Sequence, residues 1–360
     1  MPSRTRVLLD GTPLLGARTG IGRYTSALAE ELASMSDVDV RAVAFTLRGW
    51  RKLRRVLPHG TRSRGMPVSA RLLRRSWLRV PFPPIELFAG FTDVVHGTNF
   101  VLPPAIRAAG VLTIHDLAFL DSPGDLPPSD EQLPALVARS ADRADIVCTP
   151  TQAVADIVAD RLGLAEEKIV VTPLGIDLAW FTARPPSETM RRRIGLPKKY
   201  LLFVGAAGPR KALDWLLKAH ANTPDLPPLV LAGPGHVGND ASVQSIGYLS
   251  DVDLRSVVAG ASALVLPSRD EGFGLPVLEA LACDVPVVCS DLPALREVAG
   301  GHATLVPFGE VEAMGAALTE ALTTSVDAPT LAARRTYAAG FTWRRTAELT
   351  VEAYRRAMAS

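Results

Sequence analysis

Ten short apolar runs, each followed by a stretch long enough for a helix, most constrain the fold of this 360-residue chain. The runs are almost continuously apolar instead of alternating with polar residues, which is typical of strands buried on both faces of a parallel sheet. Strands of this kind that alternate with helices predict an α/β chain built from doubly wound sheets. The runs lie at residues 7–10, 40–45, 94–96, 111–115, 145–149, 169–172, 200–204, 229–232, 263–266 and 285–289.

The length of the chain predicts two domains, because one hydrophobic core rarely serves 360 residues. The stretch 173–187 is rich in Gly and Pro and lacks a regular period, so we place the interdomain linker there. We expect an N-terminal domain over residues 1–176 and a C-terminal domain over 177–342, with a last helix, 343–360, that crosses back to the first domain. Ligands of doubly wound sheets bind at the carboxyl ends of the strands, so we expect the site in a central cleft that both domains face.

The N-terminal apolar run is too short for the core of a signal peptide or for a membrane span, so we expect a cytoplasmic protein. The three cysteines, Cys148, Cys283 and Cys289, have no CxxC spacing, and two of them lie in apolar runs. We therefore expect buried thiols instead of disulfide partners or zinc ligands.

Residues 48–79 carry eleven Lys and Arg residues and no acidic residue, which leaves 28 basic against 37 acidic residues in the rest of the chain. Two interpretations remain open. The segment contacts an anionic membrane surface or acceptor, which would place the protein at the inner face of the membrane, or it is a solvated basic loop and helix. No nucleic-acid partner is expected. The apolar residues interleaved with these charges are Trp50, Leu53, Val56, Leu57, Leu72, Leu73 and Trp77.

The segment EGFGLPVLEA, residues 271–280, follows one predicted strand and precedes another. Pro276 suits the first position of a helix, so Glu271 is expected in the loop and Glu279 at the end of the first helical turn. A carboxylate accepts hydrogen bonds from two neighbouring hydroxyls, so the pair is suited to two polyol groups of one ligand. The alternative is a surface carboxylate and a helix-capping glutamate. The loop itself consists of Gly272, Phe273, Gly274 and Leu275, whose backbone can approach a phosphate or sugar closely.

The segment VGAAGPRKALDWLL, residues 204–217, predicts a strand, a turn that contains Gly205, and a helix. Arg210 and Lys211 fall where that helix begins, so their charges oppose the helix dipole unless an anion is bound. This misfit indicates a phosphate site. The alternative is two exposed cations that only keep the surface soluble.

Three further positions are weaker candidates. Gly20 and Gly22 lie in an early glycine turn, a pattern that approaches anions but also simply makes turns. His115 ends an apolar strand at the edge where ligands bind, although a histidine hydrogen-bonded inside the core would have the same pattern. Gly233 and Tyr248 follow two later strands.

Residues 271–280 resemble the E-x7-E motif of the retaining family 4 glycosyltransferases, whose GT-B fold has two Rossmann-like domains facing a cleft. This resemblance implies that Glu271 holds the transferred sugar and Glu279 the ribose of a nucleotide sugar donor. It further implies that His115, Glu271, Arg210 and Lys211 are catalytic. The implied donor contacts are Gly20, Gly22, Gly205, Arg210 and Lys211 at the diphosphate, Gly233 and Tyr248 at the base, and Gly272, Phe273, Gly274, Leu275 and Glu279 around the E-x7-E loop.

The resemblance implies retaining transfer of a hexose from a UDP- or GDP-linked sugar to a glycan, glycolipid or small-molecule acceptor. It is strongest over residues 169–307 and weakest over 47–87, and it departs from the usual pattern at Gly208 and at Ala212, where Asn or Gly is common. We expect no metal or other cofactor, and we discount two Asp-x-Asp triplets, 37–39 and 251–253, as residues of polar turns near helix ends. The alternatives are another GT-B enzyme, such as a nucleotide-sugar epimerase or a phosphorylase, and a non-catalytic subunit that binds sugar nucleotides or docks on membranes.

Overall fold

The computed structural model describes residues 4–16, 19–47, 49–64, 67–121, 131–235 and 242–360. The chain divides into two compact units. The first unit is Met1–Gly175 together with Trp343–Ser360, and the second is Ile176–Thr342.

The described residues of the first unit form a parallel sheet with helices around it. Its strands are β1 (Thr5–Asp10), β2 (Val38–Val43), β3 (Arg62–Ser63), β4 (Val94–Gly97), β5 (Ala109–Thr113), β6 (Ile146–Thr149) and β7 (Ile169–Val171). Its helices are α1 (Gly20–Ser34), α2 (Trp50–Val56), α3 (Ala70–Trp77), α4 (Glu86–Ala89), α5 (Ala118–Asp121), α6 (Leu133–Arg143) and α7 (Gln152–Leu162). The strand order is β3-β2-β1-β4-β5-β6-β7, and every pair is parallel.

The second unit repeats this architecture. Its strands are β8 (Leu201–Val204), β9 (Leu229–Ala232), β10 (Val243–Gly247), β11 (Ala263–Leu266), β12 (Val287–Ser290) and β13 (Thr304–Val306). Its helices are α8 (Glu188–Ile194), α9 (Leu213–Asn222), α10 (Asp251–Ala259), α11 (Leu275–Ala282), α12 (Pro293–Ala299), α13 (Val311–Thr323) and α14 (Ala328–Ala339). The parallel strand order is β10-β9-β8-β11-β12-β13.

These sheets confirm the predicted doubly wound α/β class, and each of the ten apolar runs contains a strand. Strands β3, β10 and β13 were not predicted, because they are partly exposed and lack continuous apolar runs. The strand order reverses between β1 and β4 in the first unit and between β8 and β11 in the second. Loops that follow the strands on either side of such a reversal are where doubly wound sheets bind ligands.

The last helix, α15 (Trp343–Ala359), belongs to the first unit. One stripe of it is buried, including Ala347, Ala353 and Tyr354, and it packs against α1, β5, β6 and β7. The Thr346 hydroxyl donates a hydrogen bond to the carbonyl of Pro173 at 2.6 Å, which ties the helix to the segment after β7.

The segment predicted as an open linker is packed over its second half. The side chain of Trp180 is buried, and its carbonyl accepts a hydrogen bond from the Cys283 thiol at 3.3 Å. The next carbonyl, of Phe181, accepts from the Arg335 guanidinium at 2.6 Å. Residues 176–187 therefore form part of the second unit instead of a free connection.

Candidate active site

An ion pair joins the two loops that flank the strand reversal of the second unit. Lys211 follows β8 and Glu271 follows β11, and the Lys211 Nζ donates to Glu271 Oε1. The Ser268 hydroxyl donates to the same carboxylate oxygen at 2.7 Å. The loops are also joined through their backbones, because the Arg269 N–H donates to the Arg210 carbonyl at 2.8 Å. The structure thus brings together two residues that the sequence analysis assigned to different parts of a donor.

This pair is largely shielded from solvent, since the side chains of Lys211 and Glu271 are 17% and 7% exposed. Burial disfavours the charged carboxylate, but the Lys211 and Arg210 charges and the hydrogen bonds from Lys211 and Ser268 outweigh it and lower the pKa of Glu271. The Lys211 charge, which the sequence analysis matched with a bound anion, therefore also has an anion within the chain. Glu271 supplies that anion.

The two cations also lie slightly before the helix instead of within its first turn. Arg210 and Lys211 belong to a 3-10 turn, Pro209–Lys211, and α9 begins two residues later. Ala212 between them has φ 43°, a left-handed conformation that Gly and Asn adopt more easily than Ala. This geometry explains why Asn or Gly is common at this position, and it makes Ala212 a costly departure.

Gly205 and Gly233 meet where the loops after β8 and β9 touch. A Cβ at Gly233 would lie 1.9 Å from the Gly205 carbonyl oxygen, and Gly233 has φ 146°, so a side chain is excluded there. Tyr248 follows the edge strand β10 and is 56% exposed, which leaves its ring accessible.

The glycine-rich loop after β11 ends one residue earlier than predicted, because α11 begins at Leu275 with Gly274 as its N-cap. Gly274 has φ 86°, and a Cβ there would lie 2.5 Å from Leu295 Cδ2. Glu279 therefore lies just beyond the first helical turn and is 1% exposed, which excludes the alternative of an exposed capping glutamate. The Phe273 side chain is buried against Phe341, so a ligand can meet its backbone and not its ring.

In the first unit, His115 lies two residues beyond the end of β5 and is buried. Its Nε2 donates to the carbonyl of Thr98 at 3.0 Å, and the Thr98 hydroxyl donates to the carbonyl of Asp10 at 2.6 Å. Burial lowers the pKa of His115, against smaller opposing effects of the Thr98 hydrogen bond and the Asp116 charge. The histidine is thus held as a neutral imidazole at the ligand-binding edge of the sheet.

The early glycine turn is part of a helix. Gly20 and Gly22 lie in the first turn of α1, and the Thr19 hydroxyl caps that helix by accepting from the Gly22 N–H at 3.2 Å. The expectation that Gly20 and Gly22 lie in a turn before the first helix is therefore wrong, and the Gly22 N–H is already hydrogen-bonded. Ala17 and Arg18 lie outside the described residues.

In its described part, the basic segment 48–79 contains two short helices, α2 and α3, and the short strand β3. Three of its interleaved apolar residues, Leu53, Leu73 and Trp77, are buried in the first unit, so they serve the core and not a membrane. Val56 and Leu72 are 43% and 66% exposed among exposed cations. Arg48 lies outside the described residues.

The first unit matches the family described as glycosyl transferase 4-like domain over residues 19–175, and the second matches glycosyl transferases group 1 over residues 198–324. The D-inositol 3-phosphate glycosyltransferase of Stackebrandtia nassauensis is 31% identical over 74% of this chain and 68% of its own length. The chain belongs to the GT4-like glycosyltransferases. The O-antigen chain mannosyltransferase B of Escherichia coli is 26% identical over 97% of this chain and 99% of its own length.

Solved structures confirm the GT-B fold of this glycosyltransferase. The sucrose-phosphate synthase from Thermosynechococcus elongatus superposes with a TM-score of 0.74 at 20% identity, over 99% of this chain and 100% of that one. The HepE protein of Anabaena, solved in complex with UDP-glucose, superposes with a TM-score of 0.69 at 17% identity, over 97% and 98% of the two chains.

In each unit of the glycosyltransferase, polar residues of the strands or of the loops after them were not predicted from the sequence. Asp10 closes β1, and its burial raises the pKa of its carboxyl against hydrogen bonds from Thr12 and the charge of Arg74. Ser268 is buried beside Glu271, and His96 is buried inside β4. The available signal was a polar residue within or just after an otherwise apolar strand, which is costly unless that residue is hydrogen-bonded.

Among the described residues, no group of three His, Cys, Asp or Glu side chains is arranged to hold a metal ion. The two Asp-x-Asp triplets of the glycosyltransferase lie in different structural settings. Asp251 and Asp253 lie in the first turn of α10, as expected, but Asp39 lies inside β2, where it pairs with Arg41 and Arg62. Of the helices that the structure describes, none has the length and apolarity needed to span a bilayer.

Proposed function

We propose that this glycosyltransferase moves a hexose from a nucleoside diphosphate sugar, UDP- or GDP-linked, to a hydroxyl of a glycan, glycolipid or small molecule. The observation that carries the proposal is the Lys211–Glu271 ion pair across the strand reversal of the second unit. It combines at one place a cation for a diphosphate and a carboxylate for sugar hydroxyls. The UDP-glucose named in the complex of the similar Anabaena protein belongs to the same class of donor.

Breaking the bond between sugar and diphosphate places negative charge on the leaving group. Lys211 and Arg210 lie where they would stabilise that charge, and donors fixed in place before the reaction contribute about 10²-fold in rate each. A diphosphate bound to Lys211 competes with Glu271 for the ammonium group. Glu271 is then released toward the hydroxyls of the transferred sugar, while Glu279 holds the ribose.

We further propose that the transfer retains the anomeric configuration and needs no metal, and that His115 acts at the reacting sugar. The resemblance of residues 271–280 to the E-x7-E motif supports retention. The charges of Arg210 and Lys211 support metal independence, since they supply the positive charge that the diphosphate requires. Proton NMR of the anomeric signal in the product, and activity with and without EDTA, test these two statements.

The test of the donor is thermal unfolding with UDP, GDP, ADP, dTDP and their common sugar conjugates. A ligand at about 100 times its Kd stabilises by about 2.7 kcal/mol, which shifts the midpoint measurably. We expect the nucleotides of one base to raise the unfolding midpoint of the wild type and of the control variant Glu320→Ala, which changes an exposed residue of α13. The same nucleotides should not raise the midpoint of Glu279→Ala. If no nucleotide shifts the midpoint of the wild type, the proposed donor class is wrong.

We also propose that the exposed cations of α2 and α3 contact an anionic membrane surface. Arg54 and Arg55 on α2 and Arg71 and Arg75 on α3 are exposed near Val56 and Leu72, so charge and apolar area are combined on these helices. The test is sedimentation with vesicles of phosphatidylcholine that contain phosphatidylglycerol.

The four arginines changed together to Gln should abolish sedimentation with these vesicles and leave nucleotide binding intact. A matched variant with four exposed cations outside α2 and α3 changed to Gln should sediment like the wild type. An equal loss of sedimentation in both variants would contradict the membrane contact. So would a wild type that does not sediment with the vesicles. The control residues are Arg192, Lys198, Lys199 and Arg345.

A further inference from the structure

A chain of buried hydrogen bonds crosses the first unit from its last helix to its first. The hydroxyl of Tyr354 in α15 lies 2.7 Å from Nδ1 of His96, and Nε2 of His96 lies 2.7 Å from the hydroxyl of Thr113. The Thr113 hydroxyl lies 2.9 Å from the hydroxyl of Tyr24 in α1. All four side chains are buried, so each contact forms away from competing water.

This chain ends against His115. The ring of Tyr24 meets the imidazole of His115 edge to face, with ring centroids 4.9 Å apart and planes at 81°. Phe100 meets the same imidazole with centroids 6.3 Å apart, and it reaches this place with φ 61°, a left-handed conformation that is costly for a bulky residue. The imidazole is therefore oriented by two aromatic contacts and one hydrogen bond.

The hydrogen bond of His115 fixes which ring nitrogen meets a ligand. A carbonyl oxygen only accepts, so Nε2, which bonds to the Thr98 carbonyl, must carry the proton. Among the residues that the structure describes, none hydrogen-bonds to Nδ1 of His115. Nδ1 thus keeps its lone pair as a hydrogen-bond acceptor, and its direction follows the tilt of the ring against Tyr24.

We propose that Tyr24, Thr113, His96 and Tyr354 are positioning residues that align Nδ1 of His115, so that the seating of α15 sets the geometry of the reaction. The inference rests on the proposed role of His115 at the reacting sugar. Stability alone does not require this chain, since replacing both partners of a buried hydrogen bond by apolar groups of the same shape is nearly neutral. A fully paired polar chain instead selects a single arrangement of its members.

The variants Tyr354→Phe and Tyr24→Phe test the alignment, because each removes one hydroxyl and keeps the ring. Tyr200→Phe is the matched control, since Tyr200 is a buried tyrosine of the second unit whose hydroxyl donates to the Val257 carbonyl at 2.6 Å. Each variant removes one buried hydrogen bond and should lower the unfolding midpoint. In Tyr24→Phe the Thr113 hydroxyl keeps its contact with His96, so this variant should lower the midpoint least.

Only the two variants of the hydrogen-bonded residues, Tyr354→Phe and Tyr24→Phe, should change the rate of the reaction. We expect kcat to fall about tenfold in Tyr354→Phe and in Tyr24→Phe while KM for the donor stays within about twofold, because small misplacements of a reacting group act mainly on the chemical step. The double variant should lose about tenfold instead of a hundredfold, since both residues act through the same alignment. Tyr200→Phe should keep the wild-type kcat.

The second readout is the imidazole signal of His115 in histidine-selective NMR, assigned with His115→Ala. We expect this signal to move in Tyr354→Phe and to stay in place in Tyr200→Phe. If the signal stays in Tyr354→Phe, or if kcat falls equally in all three variants, the proposed alignment is wrong. If the signal moves but the wild type transfers no sugar from any nucleotide sugar, the alignment stands and the proposed function fails.

Discussion

The variant Lys211→Met should destabilise the second unit strongly, because it removes one partner of a buried ion pair. Glu271 would keep its hydrogen bond from Ser268 and the charge of Arg210, but its carboxylate is only 7% exposed. Breaking a buried pair by removing one partner costs about 3 to 5 kcal/mol. Since Ser268 and Arg210 remain, we expect a loss of about 3 kcal/mol at pH 8, the lower end of that range.

The loss should shrink at lower pH. In the wild type the pKa of Glu271 is lowered, so the pair stabilises the fold above the unfolded pKa of the carboxyl and loses this effect as the pH falls through the folded pKa. Without Lys211, burial of the carboxyl meets less opposition, so the pKa of Glu271 in Lys211→Met lies above its wild-type value and protonation relieves the unpaired charge at lower pH. The difference in unfolding free energy between the two proteins is therefore largest at pH 8 and smaller at pH 5.

Urea unfolding followed by the fluorescence of the five tryptophans, of which Trp180 and Trp215 lie in the second unit, measures this difference. Lys218→Met is the control, because Lys218 lies on α9 and is exposed. The double variant Lys211→Met with Glu271→Gln should recover part of the loss, since no buried charge is left unpaired. Equal effects of Lys211→Met and Lys218→Met, or additive effects in the double variant, would refute the reasoning.

Three other outcomes follow from the geometry. Glu271→Gln should lower kcat but tighten the binding of free nucleoside diphosphate in calorimetry, because Lys211 loses its competing internal anion; unchanged affinity contradicts the exchange of partners. Gly233→Ala should lower the unfolding free energy by at least about 2 kcal/mol, since its Cβ would meet the Gly205 carbonyl; a wild-type denaturation midpoint contradicts this. Cys148 and Cys289 should resist iodoacetamide at pH 8, as measured by mass spectrometry, until urea unfolds the chain. Burial raises the pKa of each thiol to about 12, which leaves the unreactive neutral form. Labelling of either cysteine in the native protein would contradict this.

The fold could be predicted from the sequence because buried parallel strands have a local signature. The continuous apolar runs that became β8 and β11 need no knowledge of their neighbours to be recognised. Strand β10 lacks this signature, since it lies at the edge of its sheet and is only half-buried. The strand order, which places Lys211 and Glu271 on opposite sides of one reversal, depends on pairings between distant segments and could not be predicted from local patterns.

The sequence supplies candidate residues for the site but not the contacts between them. Lys211 and Glu271 were each proposed from their own segment, and each was assigned to a ligand contact instead of a contact within the chain. Their separation of sixty residues hid the ion pair. Tyr354 illustrates the same limit, because its position on the apolar stripe of α15 predicts only burial, whereas its hydroxyl meets a histidine 258 positions earlier.

Both units hold their candidate residues at the ligand-binding edge with partners from the chain itself. Lys211 is neutralised by Glu271, and His115 donates to the Thr98 carbonyl. A buried charge or imidazole without such a partner would cost several kcal/mol. The side chain would then change its protonation state or move toward solvent. An internal partner holds Lys211 charged and in place before any ligand arrives. Under the proposed function, a diphosphate would then exchange one anion for another instead of desolvating a free ammonium group. The same exchange would free the Glu271 carboxylate for the hydroxyls of the sugar, which would link recognition of the two ends of the donor.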